Sequence, residues 1–247
     1  MLYEATFPIG AGQAGLNLQC RPSGVLAILQ EGATQAACQF HASGPEMRQN
    51  HNALWMVTRM WYHLDRPLMW GDEVTLRTWH RGGRGPAMYR DFDLFVGKKP
   101  VGEAVSVWVL VDEESRRLLR LTDVGELAAT DGGELCKSKK LSGLRLPSDM
   151  ALVEQRRFHY SDIDCNGHVN NVRYADLAAD AAGLEGRLGG QFVSELQIGY
   201  IKECMAGESI ELLKAETAEG VYILGTGQKG DTRFDALLTL DKLPEED

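Results

Sequence analysis

The segment Tyr160-Ser161-Asp162-Ile163-Asp164-Cys165-Asn166-Gly167-His168-Val169-Asn170-Asn171-Val172-Arg173-Tyr174 holds the densest group of chemically capable side chains in the chain. Asp164, Asn166 and His168 alternate with Cys165 and Gly167, and then the period lengthens. Val172, Ala175, Leu177, Ala178 and Ala182 fall on one broad helical stripe, so a polar loop is expected to feed a buried helix. Gly167 removes the Cβ penalty on tight curvature, and Asn170 or Asn171 can cap the first turn. Uncapped amides at that helix start, with His168 a residue or two away, suit the polarising of a carbonyl. Each residue alone is ordinary turn chemistry; the run is what carries the argument.

Outward from this segment, Leu152 to Tyr160 reads as a strand on the N-terminal side. On the C-terminal side the helix runs to about Leu188, Gly189-Gly190 break the chain, and strands follow at Phe192–Cys204, Ser209–Thr217, Val221–Gln228 and Thr232–Leu240. The first part of the chain has the same order. A strand over Leu2 to Pro8 precedes a glycine-rich turn, and a helix capped by Ser23 runs to about Phe40, apolar round most of its circumference. Small residues along it, such as Gly32, Ala33 and Ala36, let a sheet approach closely. Strand-like segments then follow at Leu54–Leu64, Glu73–His80, Ala87–Val96 and Val101–Val111, separated by strong turn signals at Gly71-Asp72, Arg81 to Pro86 and Gly97 to Pro100.

The repeated order of strand, loop, buried helix and antiparallel strands is an internal duplication read from elements rather than from identity. A long helix wrapped by an antiparallel sheet fits a hot-dog fold, and two in one chain give a tandem, α+β architecture. The chain turns polar from Thr130 to Met150. The expected organisation is therefore an N-terminal half over 1–130, an exposed linker over 131–149 and a C-terminal half over 150–247 that carries the polar motif. The N-terminal half has only Gly10, Gly12, Gln13 and Arg21 ahead of its helix, so one site per chain is expected.

The 247 residues are enough for one large or two ordinary domains. The chain has no apolar run of the roughly 18 residues that a spanning helix requires and no signal-peptide pattern, which reads as a cytosolic protein without a membrane partner. Cys20, Cys38, Cys136, Cys165 and Cys204 are scattered and odd in number, indicating neither a disulfide framework nor a zinc cluster. The histidines show no metal spacing. A net charge of −9 argues against non-specific binding to nucleic acid.

The run Asp-x-Asn-x-His-Val-Asn-Asn-x-x-Tyr, complete as Asp164, Asn166, His168, Val169, Asn170, Asn171 and Tyr174, resembles the signature of the acyl-acyl carrier protein thioesterases of plants and bacteria, double hot-dog enzymes that end fatty-acid synthesis. Glu203-Cys204, at the end of the apolar segment Phe192 to Ile201, is a second match. Trp70, Glu73, Thr78-Trp79, Arg90-Phe92, Ser106 and Trp108 through Asp112 look like that family's first half, so the resemblance covers nearly the whole chain. It implies hydrolysis of the thioester of a fatty acyl-acyl carrier protein to free fatty acid, with no cofactor and no metal. It also implies an acyl-chain pocket largely in the first half and, as partner, an acyl carrier protein bearing a phosphopantetheine-linked acyl chain.

Hydrolysis needs a nucleophile, a base and an oxyanion donor. In the favoured assignment Asn166 and His168 orient or polarise the thioester and its attacking group. Asp164 holds the local network and Glu203 is the base for a water, while Cys204 is the competing, nucleophilic candidate. Adjacent strand residues face opposite ways, so one of Glu203 and Cys204 is expected to face His168. Two other readings stay open, an acyl-coenzyme A thioesterase or related hot-dog enzyme and a non-catalytic acyl-binding module. Assembly as a homodimer is also open. Carrier proteins are acidic, so docking on this acidic chain needs a local basic patch. Candidates are Arg116, Arg117 and Arg120; Lys137, Lys139, Lys140 and Arg145; and Arg156 with Arg157.

Overall fold

The computed structural model describes residues 2–120, 122–124, 137 and 139–244. Residues 131–136 and 138 of the expected linker, Cys136 among them, lie outside the described residues. The chain folds as two compact units. One comprises Met1–Pro8, Ile28–Trp61 and Glu73–Leu141, the other Ile9–Ala27, Tyr62–Asp72 and Ser142–Asp247.

In the first unit, strands β1 (Leu2–Pro8), β2 (Ala53–Leu64), β3 (Glu73–Arg84), β4 (Ala87–Val96) and β5 (Lys99–Asp112) lie in the order β1-β3-β4-β5-β2, with a short β6 (Leu118–Leu119) on β5. β1/β3, β3/β4 and β4/β5 pair antiparallel, the last two through the hairpin turns that the glycines mark. Helix α1 (Pro22–Gln39) begins one residue before the expected Ser23 cap, with proline, which needs no amide partner, in its first position. Ser23 is buried within the helix instead. Gly32 is a point of close approach between helix and sheet. A Cβ there would lie 2.0 Å from Leu76 Cδ2. Leu76 pairs with Leu94, Thr78 with Phe92 and His80 with Arg90, so these residues share the sheet face that meets α1.

A second helix that hydrophobic periodicity missed, α2 (Gly44–His51), follows α1. It opens on a capping box: the Glu46 amide donates to Ser43 Oγ at 3.4 Å and the Ser43 amide to Glu46 Oε2 at 3.0 Å. On the sheet face opposite α1, Lys137, Lys139 and Leu141 of the expected linker are held against the sheet, while Lys140, Ser142, Gly143, Arg145, Ser148 and Asp149 are exposed, as expected of a linker. The Lys137 amide donates to Asp91 Oδ2 at 2.9 Å, and Lys137 Nζ pairs with Asp93 and Glu103 at 2.7 and 2.6 Å. Lys139 Nζ stands 3.3 Å above the Trp61 ring, and Leu141 is buried with Trp61, Val105 and Val107.

In the second unit, β7 (Ala151–Arg157), β8 (Gln191–Tyr200), β9 (Ser209–Thr217), β10 (Gly220–Gly227) and β11 (Thr232–Lys242) run β8-β11-β10-β9-β7, antiparallel throughout. Helix α3 (Asn171–Ala182) packs across β9, β10 and β11, burying Tyr174, Ala175, Leu177, Ala178, Ala181 and Ala182. It is shorter than the periodicity suggests, because Gly183 takes a left-handed conformation (φ 70°) and the chain tightens into a single turn over Leu184–Gly186. Among the described residues no helix is long and apolar enough to cross a membrane.

Candidate active site

The polar motif forms a tight loop closed by its own backbone. The Asp164 amide donates to the His168 carbonyl and the Gly167 amide to the Asp164 carbonyl, both at 3.0 Å, and Ile163 bridges Val169. Such a closure needs one left-handed residue, which Gly167 supplies at φ 85°. Asn170 is the cap of α3, its Oδ1 accepting from the Val172 amide at 3.1 Å, while its own amide donates to the Asp162 carbonyl at 2.9 Å. Asp162, which sequence reasoning passed over, is buried and anchors the loop from beneath, its Oδ2 accepting from the His159 amide at 2.9 Å.

Asp164 lies at the centre of the predicted group. Its Oδ1 accepts from the Asn166 amide at 2.8 Å, its Oδ2 from Asn166 Nδ2 at 3.5 Å, and Oδ1 lies 3.9 Å from His168 Nδ1. The same His168 nitrogen is 3.4 Å from the Val169 carbonyl oxygen. His168 is half-buried and Asn166 exposed. Asp164 is thus hydrogen-bonded to Asn166 by side chain and to His168 by backbone, with the imidazole 3.9 Å from its carboxylate, at the start of α3.

Glu203 and Cys204 are placed differently from expectation. They are not on a strand: β8 ends at Tyr200, because the successive amides of Ile201 and Lys202 both turn to the Arg233 carbonyl at 3.0 Å and leave the ladder. The pair therefore sits in the loop that follows. That loop is bonded to the motif by the Val169 amide donating to the Cys204 carbonyl at 2.8 Å, which puts His168 and Glu203 each one residue from the bond. Glu203 is exposed, and among the described residues no hydrogen bond joins its carboxylate to Asn166 or His168.

Cys204 is fully buried. Its thiol lies against the Tyr174 hydroxyl, with Arg233 Nη1 4.0 Å away, and burial pushes its pKa up. Tyr174 stacks edge-on against Tyr200 and Phe234, with ring centroids 5.8 and 5.2 Å apart. A thiol in an aromatic pocket of this kind is a protonated, inert group. Of the five predicted residues the structure brings together Asp164, Asn166 and His168 by side chain and Glu203 by backbone, and it turns Cys204 inward. Arg233 had no sequence signal beyond its place in an alternating strand. Cys20, Cys38, Cys165 and Cys204 are all free, and among the described residues no three His, Cys, Asp or Glu side chains converge as a metal site would require.

Two units, each setting a helix against an antiparallel sheet, with a single polar motif at the start of α3, define a tandem hot-dog protein of the α+β class. The chain belongs to the acyl-ACP thioesterase family: the models of its N-terminal and C-terminal domains match residues 1–127 and 147–239. It is 30% identical over 207 residues to the chloroplastic palmitoyl-acyl carrier protein thioesterase of Arabidopsis thaliana, an alignment that takes in 80% of this chain and 49% of that one. The chain spans about half the length of such curated relatives. Among solved structures, an acyl-ACP thioesterase from Bacteroides thetaiotaomicron superposes with a TM-score of 0.88 at 19% identity, covering 97% of this chain and 98% of that one. The 12:0-ACP thioesterase from Umbellularia californica gives 0.79 at 20% identity, covering 98% and 97%. At these identities the likeness speaks to the fold.

Proposed function

We propose that this protein hydrolyses the thioester between a fatty acyl chain and the phosphopantetheine thiol of acyl carrier protein, releasing free fatty acid and ending chain elongation. Family membership supports the reaction class. The observation that carries the reading is the opposite disposition of Glu203 and Cys204 beside the Asp164–Asn166–His168 unit, one carboxylate outward and one thiol sealed among aromatic rings.

In this reading Glu203 takes a proton from water as the water oxygen attacks the thioester carbonyl carbon. Asn166 Nδ2 and His168 are the donors for the developing oxyanion, with Asp164 fixing their orientation. Collapse breaks the carbon–sulfur bond, and the departing thiolate receives the proton. Cys204 takes no part in bond making. In this reading the first half of the sequence, 1–130, supplies most of the acyl-chain pocket and the second, 150–247, the reacting groups, with Ile9–Ala27 and Tyr62–Asp72 packing as part of the second compact unit. A cytoplasmic location is part of the proposal, supported by free cysteines at four positions.

Free-thiol release, followed with acyl-acyl carrier protein and with acyl-coenzyme A, tests the reading. Release from the carrier-protein donor with the higher kcat/KM is expected. Preference for the coenzyme A donor would make the protein an acyl-coenzyme A thioesterase, and release from neither would leave an acyl-binding module.

A further inference from the structure

We propose that Arg233 is the positioning residue that sets the Glu203–Cys204 turn, holding the thiol in and the carboxylate out. This rests on the reading of Glu203 as base. The side chain of Arg233, on β11, is 10% exposed. One of its nitrogens, Nη1, reaches three parts of the loop after β8: it donates to the Glu203 carbonyl at 2.5 Å, lies 3.3 Å from Glu208 Oε2 and stands 4.0 Å from Cys204 Sγ. The backbone carbonyl of Arg233 accepts from the Ile201 and Lys202 amides, so the same residue ends β8 and grips the turn beyond it. A second clasp runs alongside, Lys202 Nζ to Asp231 Oδ2 at 2.7 Å, and Arg233 Nε lies 3.2 Å from that oxygen.

The site is built to hold a guanidinium in particular. A Cβ at Gly227 would lie 2.7 Å from Arg233 Nε, so the glycine is what admits the planar group between β10 and the loop. A guanidinium spreads its donors over a fixed plane, so Nη1 addresses the loop after β8 while Nε lies 3.2 Å from Asp231 Oδ2, whereas an ammonium has its donors at one point and cannot span both. Holding the Glu203 carbonyl and the Cys204 sulfur from one nitrogen fixes the peptide between them. The direction of each side chain follows from that peptide, and a displacement of about 1 Å in a reacting group costs on the order of a hundredfold in rate.

The test compares Arg233→Gln and Arg233→Lys with the unchanged protein by kcat and KM on acyl-acyl carrier protein and by iodoacetamide labelling of individual cysteines, read by peptide mass. Cys20, itself held as a thiol by burial, serves as the internal control for general loosening. For Arg233→Gln the expected result is a kcat lower by about tenfold to a hundredfold with KM within about twofold, Cys204 labelled at least about tenfold faster, and Cys20 unchanged. Arg233→Lys falls between the two. Should Arg233→Gln fail to fold, Arg233→Lys alone decides the matter through the same kcat and labelling shifts. Unchanged kcat, or Cys204 and Cys20 opening together, overturns the proposal. Full activity in Glu203→Gln would instead remove the base assignment and leave the labelling result to stand on its own.

Discussion

The amide of Val169 donates to the carbonyl of Cys204 at 2.8 Å, and with the paired backbone bonds of Phe158 to Gly207 and Glu208 at 2.9 Å it sets two loops, after β7 and after β8, against each other. On one side of it stands His168, beside the Asp164 carboxylate that binds Asn166; on the other, Glu203 is exposed and Cys204 faces Tyr174.

Arg90 faces α1 from the middle of the first unit's sheet, in register with His80 and Ser106, and among the described residues it has no carboxylate partner. Its Nη1 donates to Thr78 Oγ1 at 3.3 Å, and burial pushes the guanidinium pKa down to about 10. A desolvated cation without a counter-ion destabilises the fold. Arg90→Met is therefore expected to raise the unfolding free energy, by roughly 1–4 kcal/mol on the precedent of buried ionic groups replaced by apolar ones. Thermal or urea unfolding reads this. A loss of stability would mean that Arg90 is held by interactions worth more than its desolvation.

Stability should fall on the alkaline side. Burial raises the Cys20 thiol from its ordinary 9.0 to about 12, and the fully buried Tyr62 hydroxyl beside it shifts the same way. Above pH 9 the unfolded chain releases the thiol proton while the folded chain keeps it. The stabilisation present below pH 9 is thus lost progressively towards pH 12. Denaturant midpoints taken from pH 8 upward check the slope. Cys20→Ala is expected to flatten it in part, leaving the Tyr62 contribution, and an unaltered slope would contradict the assignment.

Much of this architecture is legible in the sequence, for identifiable reasons. Alternation in β5 and the glycine turns at Gly85 and Gly97 mark real hairpins, although β3 runs on through Gly82 to Arg84, and the Asn170 cap follows from the change of period after His168. Helix α2 escaped because only Met47 on it is buried, so it shows no apolar stripe, although Ser43, Pro45 and Glu46 spell its capping box. The extent of β8 was overestimated because apolar character continues through Ile201, whereas the strand is ended by two amides sharing the Arg233 carbonyl, a tertiary event with no local signature. The opposed faces of Glu203 and Cys204 were anticipated, but from strand alternation; a turn and a buried guanidinium accompany them instead.

Carrier-protein docking can be narrowed among the basic clusters. Lys137 is engaged with Asp93 and Glu103, Lys139 with Trp61, and Arg156 lies 3.8 and 3.6 Å from Asp162 and Asp180. Arg157 is exposed and, among the described residues, has no ion pair; it lies beside Gly207 of the Glu203 loop, near the 93% exposed Tyr160. Arg157→Glu should raise KM for acyl-acyl carrier protein several-fold and flatten its salt dependence, with acyl-coenzyme A little changed. Lys137→Gln should leave KM unaltered. Equal effects of Arg157→Glu on both donors would remove the docking role.

The division of labour between Glu203 and Cys204 is tested most directly by kcat on acyl-acyl carrier protein in Glu203→Gln and Cys204→Ala, each followed by rapid acid quench and intact mass. Glu203→Gln keeps the shape and removes the base, so kcat should fall by roughly 10²–10⁴-fold, while Cys204→Ala keeps most of its activity and no acyl-protein mass appears in either. An acyl increment on Cys204, with activity abolished in Cys204→Ala and retained in Glu203→Gln, would contradict the account.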